Sequence, residues 1–199
     1  MSEPSELEPA PTQVADLAES CVRFVKESLD LALDYTPETL PILDHYVRER
    51  VGGSEPEVTA LIAHAAGAYF GEVVRRCVPG ARWHATGSDY TDFRLEFDPF
   101  FLCFNPIGVA QEVIAVADVS GWGAHFQVLD DARTAVAQSL AAVEDAPPED
   151  YYTFSMRLEV LQQIADLLGG LESAQPTPRS FGHDVYAAAN GRAVGLRPS

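Results

Sequence analysis

Positive charge is scarce in this sequence: 13 Lys and Arg stand against 30 Asp and Glu, for a formal net charge of −17 over 199 residues. A chain so charged repels nucleic acid and anionic lipid at neutral pH, so neither is expected as a partner. Long apolar runs are missing as well. No stretch of about 18 apolar residues escapes interruption by a charge, which argues against a membrane-spanning helix. The opening MSEPSELEPAPTQ has no basic segment and no apolar segment, so no secretory signal is expected and the chain is placed in the cytoplasm.

Cysteine is equally sparse. Cys21, Cys77 and Cys103 are odd in number and far apart, without the C-x-x-C pair that a zinc knuckle or a redox dithiol needs. Each stands among apolar neighbours and is expected as a reduced core residue. Cys77, which follows Arg75 and Arg76, is the one thiol with cations at hand to depress its pKa. His45, His64, His84, His125 and His183 are scattered, with no spacing that sets two ligands on one helix face, so no metal is expected and His64 is expected to be packed or solvent-touching. No cofactor is expected either: the sequence has no G-x-S-x-G elbow and no phosphate loop, and Gly121-Trp122-Gly123 lacks the third glycine of a dinucleotide site. Asp89, Asp92, Glu96 and Asp98 lack the glycine and terminal glutamate of a calcium loop, and are expected to be the solvated face of a strand.

What is present is ordinary globular material, 47% hydrophobic and 22% charged, enough for one sizeable core. Val14, Leu17, Cys21, Phe24, Val25, Leu29 and Leu33 recur at helical steps. Thr36 or Thr39 is expected to cap a second helix that runs to about Val51 and ends at Gly52-Gly53. Ser54 and Glu57 have the spacing of a capping box ahead of a third helix with Val58, Leu61, Ile62, Ala65, Tyr69, Val73 and Cys77 as its inner stripe. In that helix Gly67 and Gly71 flank Tyr69, where another element can approach closely.

The period then becomes two. Phe93, Leu95 and Phe97 alternate with charges, Trp83 falls on a preceding hairpin strand, and Phe100 to Phe104 suits a more buried strand. Asn105-Pro106 opens a short helix and His125 to Leu129 reads as a fourth strand. Asp130 or Asp131 is expected to cap a helix from Ala132 to Val143. A last helix is expected from Asp150 to Leu168, stopped by Gly169-Gly170. The expected class is α+β: helices at both ends, a central antiparallel sheet of three to four strands, and C-terminal helices packed on one face. Residues 1–12 are expected to be a disordered acidic lead, 13–172 a single domain and 173–199 a mobile tail.

Three segments, Asp34-Tyr35-Thr36-Pro37-Glu38-Thr39-Leu40, then Gly67-Ala68-Tyr69-Phe70-Gly71-Glu72-Val73-Val74-Arg75-Arg76 with Trp83 after it, then Phe104-Asn105-Pro106-Ile107-Gly108, resemble a pattern of small uncharacterised bacterial proteins. The resemblance covers Asp34 to Ile114. It implies a bacterial cytoplasmic protein and a shared fold, and carries no activity across.

One candidate site emerges, Tyr69, Glu72, Arg75, Trp83 and Asn105, in which an acid, a cation, aromatics and an amide line a small polar pocket. There Glu72, set among apolar and aromatic neighbours, would be an acid or base with a raised pKa. The plainer reading is a helix-surface ion pair, with the glycines serving close packing. Three functional readings follow. The first is a non-catalytic interaction module, such as an adaptor, inhibitor or immunity-type antagonist, that binds another protein with a basic surface. The alternative is a small-molecule-binding protein or enzyme built on that pocket. A homo-oligomer paired through the sheet edge or the last helix is a third.

Overall fold

The computed structural model of the protein describes residues 9–51, 54–141, 146–177, 179–189 and 195–196. Eight helices and five strands follow in the order α1 (Thr12–Leu29), α2 (Leu40–Arg50), α3 (Pro56–Cys77), β1 (Ala81–His84), β2 (Arg94–Phe97), β3 (Leu102–Phe104), α4 (Pro106–Ala115), β4 (Phe126–Val128), α5 (Asp130–Leu140), α6 (Pro148–Tyr151), α7 (Phe154–Ser173), α8 (His183–Ala189) and β5 (Gly195–Leu196). The strands form one antiparallel sheet in sequential order, β1-β2-β3-β4-β5. The class is therefore α+β, as expected, with a two-residue fifth strand beyond the three to four foreseen.

Alternation decides which side of the sheet meets the main core. Leu95, Phe97, Leu102, Phe104, Phe126 and Val128 point into it, against α3 and α4. In α3 the expected stripe is too narrow: every residue from Ile62 to Arg75 except His64 is buried, while Val58 and Leu61 are 46% and 48% exposed. The helix runs through the middle of the molecule, with α1 on one flank and α4 on another. Its glycines explain the closeness. A Cβ on Gly67 would stand 2.4 Å from the Cα of Ile107, so only a residue without a side chain lets α4 cross there.

Several local expectations are corrected. The capping box does not form: α3 starts behind Glu55 with no side-chain cap, and Ser54 donates back to the carbonyl of Arg50. Neither Thr36 nor Thr39 caps α2, because Thr39 is engaged by Asp34 and Tyr69 instead. Asn105 caps α4 as expected, accepting from the amides of Ile107 and Gly108. Asp130 and Asp131 lie inside the first turn of α5 rather than at its cap. The last long helix runs on through Gly169 and Gly170 to Ser173, and its N-terminus is capped twice, by Thr153 and by Asp44 reaching from α2. The expected stop at Gly52-Gly53 and the end of α5 at Val143 lie outside the described residues.

The other face of the sheet is also covered. Phe181 and Tyr186 pack with Phe101 and Cys103 into a second small cluster. The hydroxyl of Tyr186 accepts from the amides of Phe97 at 3.1 Å and Leu102 at 3.2 Å and donates to the carbonyl of Phe97 at 2.6 Å. Arg179 pairs with Glu172, and the amide of Phe181 donates to Asp98.

Candidate functional site

Glu72 and Arg75 lie one turn apart on α3, on the side that meets β1. Arg75 Nε donates to Glu72 Oε1 and Arg75 Nη2 to Oε2, both at 2.8 Å, while Trp83 Nε1 donates to Oε1, also at 2.8 Å. Arg76 adds a longer contact of 3.7 Å. Both members of the central pair are buried. Burial pushes the Glu72 pKa up, but the hydrogen bonds from Arg75 and Trp83 and the charges of Arg75 and Arg76 outweigh it, and the result lies below the ordinary glutamate value. This reverses the expectation of a raised pKa. A carboxylate held charged by three donors has no lone pair poised for proton transfer at neutral pH; it fastens β1 to α3.

The other two candidates serve different junctions. The hydroxyl of Tyr69 accepts from the amide of Tyr35 at 2.9 Å and lies 2.8 Å from Thr39 Oγ1, and its ring stacks on Tyr35 with centroids 4.9 Å apart. It ties α3 to the α1–α2 connection. Asn105 caps α4 with its oxygen and donates its amide to the carbonyls of Tyr90, at 2.8 Å, and Thr91. The structure thus brings Glu72, Arg75 and Trp83 together and sets Tyr69 and Asn105 at other contacts. Cavities open elsewhere. One of about 600 Å³ lies between the end of α3, the β2–β3 connection and α7, lined by Val78, Pro99, Phe100, Ala165 and Asp166 among others. A smaller one, about 170 Å³, sits between α2 and α4.

Burial disfavours the thiolate at all three cysteines. Burial raises the pKa of Cys21 and pushes Cys103 up to about 12, and the Cys77 thiol is raised by burial as well. Arg75, one of the two cations adjacent to Cys77 in sequence, is turned to Glu72.

Glu96, expected on the wet face of its strand, has a side chain that is 0% exposed. Arg94 Nε donates to it at 2.8 Å, Arg82 lies 3.7 Å away, and His183 Nδ1 of α8 stands 2.5 Å from its other oxygen. His84, Glu96 and His183 are close enough to share an ion. The two guanidinium groups already compensate Glu96 and oppose a cation there. A second group, Glu112, Asp118 and His125, gathers where α4 ends and β4 begins. The spacing of histidines could not reveal it, because one ligand is on a helix, one in a loop and one beside a strand. The legible signal was Glu112 itself, a lone acid inside the apolar helix Pro106–Ala115.

Residues 2–96 match the model of a family of unknown function (DUF6278). No curated protein and no solved structure matches the chain. The matched stretch ends within β2, so it holds Tyr69, Glu72, Arg75 and Trp83 but stops short of Asn105 and the Glu112 group. Among the described residues no helix is long and apolar enough to cross a membrane.

Proposed function

We propose that the chain is a non-catalytic protein-interaction module of a bacterial cytoplasm, of the adaptor, inhibitor or immunity type, whose partner presents a basic surface. The division of charge between interior and surface carries this reading. Among the described Lys and Arg residues only Arg23, Lys26, Arg48, Arg50 and Arg76 are exposed. Arg75, Arg82, Arg94, Arg133, Arg157 and Arg179 are buried or half-buried, each against a carboxylate. The acids left outside dominate the surface, for example Asp16, Glu19 and Glu27 on α1, Asp130 and Asp131 on α5, and Glu159 and Asp166 on α7. A surface of one sign accelerates encounter with the opposite sign and makes the association depend on salt. The groove beside Phe100, apolar inside with Asp166 in its lining, offers such a partner an anchoring point.

The test is capture of partners by the tagged chain at low and high salt, followed by reconstitution of the complex from purified components. A stoichiometric protein whose association rate falls as ionic strength rises is the expected result. An association rate indifferent to ionic strength, or recovery of the chain with only further copies of itself, overturns the reading.

A further inference from the structure

We propose that Glu112, Asp118 and His125 form a binding site for a divalent transition-metal ion of the zinc class. The Glu112 side chain is 0% exposed; its Oε2 meets Arg157, and its Oε1 is buried with no hydrogen-bond partner. A buried carboxylate oxygen left unsatisfied is costly, and native proteins supply such groups with a partner. The nearest candidate is the ring of His125, whose Nε2 lies 3.3 Å from that oxygen and 3.7 Å from Asp118 Oδ1. Ligands each about 2.1 Å from one ion lie about 3.0 to 3.4 Å apart at tetrahedral or octahedral angles, so Glu112 and His125 already have that spacing, while Asp118, whose ligand atom lies within 4.8 Å of both, has to move in by a few tenths of an ångström or more.

The surroundings fit the same purpose. Tyr152 Oη donates to Asp118 Oδ1 at 2.8 Å, and Arg157 holds the far oxygen of Glu112, so both carboxylates are oriented by neighbours in the manner of outer-shell partners. Two carboxylates against one guanidinium leave net negative charge for a divalent ion, in contrast to the sheet-face group, where two arginines flank one carboxylate. One imidazole nitrogen with two carboxylate oxygens suits zinc or manganese better than calcium. Three protein ligands leave coordination positions to water, on the side where His125 is 36% exposed. The bound ion ties the connection from α4 to β4 onto α4.

The test is equilibrium dialysis of the untagged, chelator-stripped full chain against Zn²⁺ and Mn²⁺ with elemental analysis, and Co²⁺ absorption as a readout of coordination. One ion per chain is expected. His125→Ala and Asp118→Asn, both at partly exposed positions, each weaken it by more than the about 10- to 100-fold that loss of an outer-shell partner costs, with circular dichroism unchanged. His183→Ala leaves binding intact. Absence of a stoichiometric ion on the wild-type chain, equal affinity in both variants, or loss of the ion in His183→Ala overturns the proposal.

Discussion

A Cβ placed on Gly71 would stand 2.2 Å from Cζ2 of Trp83, so the indole lies directly against the backbone of α3. That contact sets the depth at which the indole nitrogen reaches Glu72, and with it the fit between the central helix and the first strand. Gly71→Ala is expected to lower stability by about 1–3 kcal/mol through overpacking. Gly170 supplies the opposite sign: it lies within α7 with nothing near its missing Cβ, so Gly170→Ala should add about 0.5–1 kcal/mol. Urea midpoints of the two variants check both signs.

Glu72→Gln takes from buried Arg75 the carboxylate that both of its donors meet. The expected loss is about 3 kcal/mol, the range seen when one partner of a buried pair is removed, against the few tenths of a surface pair. A denaturant titration followed by tryptophan emission separates the two magnitudes.

The same residue gives a pH dependence. Its folded pKa is lowered, so the unfolded chain binds the proton more readily and the stabilisation is fully present above the unfolded value of about 4.3, then lost as pH falls through the folded value. The stability difference between the wild type and Glu72→Gln should therefore be flat above about pH 5.5 and shrink below about pH 4. A difference that grows on acidification contradicts this assignment.

Tyr186→Phe removes one hydroxyl and leaves the buried amides of Phe97 and Leu102 without it. Unsatisfied buried groups cost about 1–3 kcal/mol, so a loss of about 2 kcal/mol is expected, with faster hydrogen exchange at those two amides. Unchanged exchange would mean that α8 does not hold the sheet.

Asp44 on α2 accepts from the amides of Phe154 at 2.6 Å and Ser155 at 3.2 Å, an N-cap supplied from another helix. Asp44→Ala should cost about 1–2 kcal/mol while far-ultraviolet circular dichroism keeps its shape, since Thr153 still caps α7.

The sequence by itself determined the class and most of the elements. Helical spacing around Cys21, alternation at Phe93, Leu95 and Phe97, and Asn105-Pro106 at a helix start are local patterns, and the backbone obeys local patterns wherever burial agrees with them. It also located the close approach at Gly67 and Gly71, and it grouped Glu72, Arg75 and Trp83 with Tyr69 and Asn105, which the packed chain sets at other junctions. Tertiary structure decided the rest. The spacing of Ser54 and Glu57 did not become a capping box, and Gly169-Gly170 did not stop α7. Whether Glu72 was a reactive acid or a closed ion pair depended on which donors reached it. Glu96 lost its water because α8, too short to show a period, docks through Tyr186 onto a face that alternation alone assigns to solvent. The meeting of Glu112, Asp118 and His125 belongs to the same class of fact: proximity across a loop is a property of the packed chain, and no linear spacing encodes it.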